Sequence, residues 1–151
     1  MGGTALVVSI LLLLACLCLG YFAFRRVRLM RGGGVDVCLR RRPASSSNAQ
    51  DASAGWHFGV GRYKGDEFSW FRMTSLRPGP TVVVDRTELE IVDRRIPSGT
   101  EAYLLPQSAS VLNCRVRGVD LELAMPIGVL TGFLSWLEAV PPGRTGYRQA
   151  S

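Results

Sequence analysis

Few residues in this chain could do acid–base or nucleophilic chemistry. There is one histidine, His57, beside Trp56 and without an adjacent carboxylate in sequence. A serine nucleophile would need it as a base, and no Gly-x-Ser-x-Gly elbow occurs to expose such a serine. Of the four cysteines, Cys16 and Cys18 sit in an apolar run, while Cys38 and Cys114 stand alone and far apart. That is too sparse for a disulfide framework, and no clustering with His or carboxylates gives metal-ligand spacing, so all four are expected reduced. Gly59-Val60-Gly61-Arg62-Tyr63-Lys64-Gly65 has the glycines of a phosphate loop but not its spacing. It also runs from a strand into a hairpin, with no helix N-terminus to receive an anion, so glycines that let a sheet bend are the better account. These residues predict no enzyme, no metal and no cofactor.

What remains is positive charge, and its placement is uneven. Arg25, Arg26, Arg28, Arg31, Arg40, Arg41 and Arg42 face a single Asp36, which places the whole net charge of +6 in that stretch. From residue 43 onward, 11 basic residues balance 11 acidic ones. The distal part therefore carries no positive field suited to nucleic acid. The seven arginines read as a membrane flank, either as a topology signal alone or also as a grip on anionic lipid. A second group, Arg62, Lys64, Arg72 and Arg77, surrounds the first expected hairpin. It is either an ordinary solvated edge or a contact for headgroups or a partner.

The element that positions the flank is the uncharged run Thr4–Phe24, 21 residues long. At about 1.5 Å per residue it reaches roughly 30 Å as a helix, the thickness of a bilayer core. Residues 1–3 carry no basic side chain, whereas RRVRLMR follows the run. Positive residues favour the cytoplasmic side, which predicts a single-pass plasma-membrane protein with its N-terminus out and its C-terminal domain in. A cleaved signal would show the opposite charge pattern. Two other placements stay open. Leu13-Leu14-Ala15-Cys16 loosely matches a lipoprotein cleavage site, which would export the domain. Cys16 and Gly20 form a small-xxx-small pair, which would suit an accessory subunit of a membrane complex.

Beyond the flank, the expected division is residues 32–54 as a short strand (Val35–Leu39) and polar linker, 55–140 as a β-domain, and 141–151 as a disordered tail. Period-two alternation predicts strands over 56–63, 67–73, 81–84, 87–92, 101–105, 112–117 and 119–123. Turn residues at Lys64-Gly65-Asp66 and Gly118 separate pairs of them. After Met125 the period changes. Ile127, Leu130, Phe133, Leu134 and Leu137 form one apolar helical stripe, opened by Pro126 and closed by Pro141-Pro142-Gly143. The fold class is thus mainly β: an N-terminal transmembrane helix, a small antiparallel barrel or bent sheet of six or seven strands, and one C-terminal amphipathic helix. This element order resembles the pleckstrin-homology-like superfold, a strongly bent sheet plugged by one helix, in which phosphoinositide-binding examples place basic residues near the first hairpin.

Short motifs in order also carry a family resemblance: Gly55-Trp56, Arg62-Tyr63-x-Gly65, Arg72-Met73-x-Ser75-Leu76-Arg77, Leu89-Glu90-Ile91, Arg94-Arg95-x-Pro97-x-Gly99 and Leu130-Thr131-x-Phe133-Leu134-Ser135-Trp136-Leu137-Glu138. Together they resemble the actinobacterial family called domain of unknown function 2550, over roughly residues 4–143. The resemblance implies a small single-span membrane protein of an actinomycete and no assigned activity. The expectation is a cytoplasm-facing, non-catalytic β-domain whose partners are the membrane, anionic lipid, or a membrane or cytosolic protein.

Overall fold

The computed structural model describes residues 1–42 and 55–139. The stretch read as a polar linker (43–54) and the tail expected beyond 140 lie outside the described residues. The first element, α1, spans Gly2–Arg31 and ends on Gly32. Seven strands follow: β1 (Val35–Arg41), β2 (His57–Lys64), β3 (Glu67–Arg72), β4 (Val82–Asp85), β5 (Leu89–Arg95), β6 (Ala109–Val116) and β7 (Val119–Pro126). A short 3-10 turn, Arg86–Glu88, separates β4 from β5. One helical turn, α2 (Glu101–Leu104), precedes β6, and α3 (Ile127–Glu138) closes the described chain.

The strands form one curled antiparallel sheet in the order β4-β3-β2-β1-β7-β6-β5. β1 is therefore its central strand, paired with β2 through Val35↔Gly61 to Leu39↔His57 and with β7 through Cys38↔Ala124 to Arg41↔Leu121. The short strand expected at Val35–Leu39, set apart from the 55–140 domain in the expected division, is thus part of the sheet. β1 follows α1 after only Gly32–Gly34, so the sheet starts directly at the end of the helix. The β6–β7 hairpin is tight because Arg117 and Gly118 both take positive φ, 48° and 80°, the backbone of a two-residue turn that follows the sheet's twist.

The concave face gathers Val37, Leu39, Phe68, Trp70, Val84, Leu112, Cys114, Leu121, Leu123 and Met125 under α3, which contributes Leu130 and Phe133. Phe133 meets Phe68 edge-on at 5.4 Å, and Trp136 lies 5.3 Å from Tyr63. The Trp136 indole donates to Gly65 O at 2.8 Å, and Arg86 donates to Trp136 O at 2.7 Å, which fastens the helix to the one end of the sheet where β3 starts and β4 finishes. The helical stripe is thus Leu130, Phe133, Leu134 and Trp136; Ile127, expected on it, is exposed. Gly59 and Gly61 face the same core. A side chain at either would run into the rings of Trp70 and Phe68, so their role is close ring-to-backbone packing.

The expected strand 101–105 is corrected. Pro97 and Gly99 break β5's continuation, and Glu101–Leu104 instead turns as a helix over the convex face. There Leu105 joins Cys38, Ala109, Val111 and Ala124 in a second small core, with Trp56 against it. β5 also runs further than its alternation indicated. A bulge between Ile91 and Asp93 lets it continue to Arg95, beyond the expected end at Val92.

Candidate functional site

Two arrangements of charge emerge, one buried and one at the exit of α1. The buried one lies on the convex face of β1, β7 and β5. Glu122 points there from the middle of β7 and is 2% exposed. Arg40 is opposite it in register and donates through Nε to Glu122 Oε2 at 2.5 Å, with its Nη2 on the same oxygen. Arg95 reaches Glu122 Oε1 at 3.1 Å and grips both oxygens of Glu101 at 2.6 and 2.8 Å. The Trp56 indole donates to Glu101 Oε1 at 3.0 Å, and the Arg40 guanidinium lies 4.7 Å from the Trp56 ring centre. Two carboxylates and two guanidinium groups thus close a nearly dry network capped by an indole. Burial opposes the charge on Glu101, but the hydrogen bonds from Arg95 and Trp56 and the charges of Arg95 and Arg40 outweigh it. Its carboxyl is held below the usual range. The Arg95 guanidinium is held more firmly charged by its hydrogen bond with Glu101.

This network removes Arg40 from the expected membrane flank: it is a buried ion-pair partner, 8% exposed. The rest of that flank divides in two. Arg25, Arg26, Arg28 and Arg31 lie on the end of α1, whereas Arg41 and Arg42 follow at the far end of β1, with the Arg42 amide donating to Asp120 O at 3.1 Å. Arg26 pairs with Asp36 at 3.4 Å.

The end of α1 is docked on the domain. Leu29 is buried, and Phe22 and Arg25 are half-buried, while the remaining residues of α1 are exposed. Positions 22, 25 and 29 share one helical face. Gly34 lies against the Val60 side chain, and the Arg62 guanidinium lies over Gly32. Arg25 Nη2 donates to Arg77 O at 3.0 Å, in the loop that joins β3 to β4. Its other terminal nitrogen is closed off from solvent without a hydrogen-bond partner.

The four residues expected around the first hairpin are not brought together. Lys64 is at the hairpin, and Arg62 faces α1 on the convex side. Arg72 opposes Gly59 on the concave side at the other end of β3, and Arg77 lies beyond it in the next loop. Strand alternation alone separates Arg62 from Arg72, since β3 begins at Glu67 and the hairpin fold pairs Arg62 with Ser69.

His57 starts β2, and its pKa is lowered by burial and by the nearby Arg72 charge. Cys38 and Cys114 are buried, and burial pushes their thiols up to about 11 and about 12, with Asp36 adding to the rise at Cys38. Among the described residues no group of three His, Cys, Asp or Glu could hold a metal ion. A small apolar cavity under α3 is lined by Leu39, Phe68, Trp70, Leu121 and Phe133, among others, and offers no polar group to orient a substrate.

The buried network escaped the sequence reading because Glu122 and Glu101 sit in alternating segments that look half-solvated. The available signal was Glu122 between Leu121 and Leu123 opposite a three-arginine run. It could not be used without knowing that β1 pairs with β7.

The fold and charge define a class: one N-terminal helix long and apolar enough to cross a membrane, joined to a curled, helix-plugged antiparallel sheet. Within that class, the chain belongs to the family described as protein of unknown function (DUF2550), whose model matches residues 11–143. It is 36% identical over 146 residues to the uncharacterized protein MT1352 of Mycobacterium tuberculosis (strain CDC 1551 / Oshkosh), covering 94% of this chain and 92% of that one. It is likewise 36% identical over 127 residues to the uncharacterized protein ML1147 of Mycobacterium leprae (strain TN), covering 82% of each. No solved structure gives a significant match.

Proposed function

We propose that this chain is a single-span plasma-membrane protein whose β-domain faces the cytoplasm. It acts there as a non-catalytic module that binds lipid headgroups or a protein partner at the membrane surface. The observation that carries this reading is the join between helix and sheet. α1 ends at Arg31, its Leu29 is buried against the domain, and the central strand starts at Val35. A domain joined so closely to a span cannot leave the bilayer surface. The arginines on the end of α1, with no acidic residue in its last turns, support the inward orientation through the preference of positive charge for the cytoplasmic side. The seven-strand order with a terminal helix supports the likeness to pleckstrin-homology-like binding domains, a likeness of fold that names no ligand.

Protease treatment of membrane vesicles tests the reading. Trypsin is expected to digest the domain in inverted vesicles and to leave it intact in sealed spheroplasts. Intact-mass measurement of the membrane-extracted protein gives a second readout. The full chain is expected, and a product lacking the residues before Cys16 would establish the exported lipoprotein instead.

A further inference from the structure

We propose that the β3–β4 loop, Met73–Thr81, is a second membrane contact, with Leu76 seated in the lipid interface beside α1. The proposal rests on the reading that α1 spans the bilayer, and three observations lead from there to the loop.

The first is depth. Arg25 is the first charged residue after the apolar run, so it marks the level at which the helix leaves the hydrocarbon. Its guanidinium holds Arg77 O at 3.0 Å, which places the loop within one side-chain length of that exit. Leu76, the next residue back along the chain, is 72% exposed. The second observation is the docked face of α1. Phe22 lies inside the apolar run, yet it is one of the few residues of the helix that are not fully exposed, on the same face as Arg25 and Leu29. The third is composition. From Ser69 to Val84 there is no acidic residue, and the only charges are Arg72 and Arg77. An apolar tip flanked by arginines suits the boundary between acyl chains and anionic headgroups.

The same convex surface continues the apolar character away from the loop. Phe58, on the strand β2 against which α1 docks, and Val83, on the edge strand β4, are each about half exposed, at 53% and 50%. The bilayer is therefore the occupant that the geometry favours: Arg25 ties this loop to the exit of the span, and seating Leu76 in lipid removes its apolar area from water. The β2–β3 hairpin at Lys64 lies at the opposite end of β2 and β3, about 20 Å away along a six-residue strand, and should remain in water.

The test uses the full chain in vesicles of phosphatidylglycerol and phosphatidylcholine. Cys16 and Cys18 are replaced by alanine, and a single cysteine carrying bimane is introduced as Leu17→Cys, Leu76→Cys or Lys64→Cys. Cys38 and Cys114 are buried and do not compete for label. Lipids brominated high on the acyl chain quench a fluorophore that touches them. The expected result is strong quenching at 17 and 76 and none at 64. Quenching at 17 with position 76 as bright as 64 would overturn the loop contact while leaving the span intact. An unquenched position 17 would overturn the span itself and the proposal with it.

Discussion

Replacing Glu122 by alanine tests the buried network at its most enclosed point. The Glu122 side chain is 3% exposed and that of Arg40 is 10%. The substitution removes the carboxylate that Arg40 engages through both Nε and Nη2. Arg95 is less affected, because it keeps both hydrogen bonds to Glu101 and is 30% exposed. Arg40 keeps Glu101 at 3.6 Å and the Trp56 ring. Removing one partner of a buried pair costs about 3–5 kcal/mol, and the retained contacts favour the lower end, about 3 kcal/mol. Against a typical domain stability of roughly 5–15 kcal/mol this is a large share. Urea unfolding of the full chain in detergent, followed by tryptophan fluorescence, reads it as a lower midpoint with unchanged slope. The double variant Arg40→Met, Glu122→Leu removes both charges and is expected to regain most of the loss. A single variant within about 0.5 kcal/mol of the parent, the range of ordinary surface changes, would refute the network's structural role. So would a double variant no better than the single.

Acid should act through Glu101. Its folded pKa is lowered, so the stability it contributes is present above the unfolded glutamate value of about 4.3 and is lost as pH falls through the folded value. Urea midpoints measured at falling pH should hold until that range and then drop, and the Glu101→Gln variant should be less stable at neutral pH with a flatter acid limb. Gly61→Ala drives a methyl group into the Phe68 ring and should cost about 1–3 kcal/mol, whereas Gly132→Ala on α3 meets nothing within 4 Å and should stabilise by up to about 1 kcal/mol; thermal melts compare the two. Phe133→Ala empties the centre of the aromatic cluster and should cost about 3–5 kcal/mol in the same urea assay. Maleimide should fail to modify Cys38 and Cys114 in the folded domain and react with both in urea, as counted by mass spectrometry.

The elements with one-sided burial were legible in the sequence. The concave faces of β3, β6 and β7 follow the alternation of Phe68 with Trp70, of Leu112 with Cys114, and of Leu121 with Leu123, because their solvent or second-layer partners are polar or small. The α1 run was legible from length alone. What could not be read was which strands adjoin. Val35–Leu39 was legible as a short strand, but nothing local showed that it is buried on both faces from Val37 to Arg40 at the centre of the sheet, and the polar stretch after it looked like a tether. Once β1 is central, Arg40 must be buried and Glu122 must answer it, which no local spacing announces. Segment 101–105 misled for a related reason. Alternation in a five-residue window does not separate a strand from a single helical turn pinned by Glu101.

The proposed function requires a β-domain fixed to the inner face of a membrane, and one labelling experiment addresses that directly. Ser98→Cys introduces a thiol in an exposed loop of the domain, in a chain whose Cys16 and Cys18 are replaced by alanine. Intact cells are treated with a membrane-impermeant maleimide and compared with lysed cells. Labelling only after lysis is the predicted result. Labelling of intact cells would put the domain outside and contradict the orientation on which the proposed function depends.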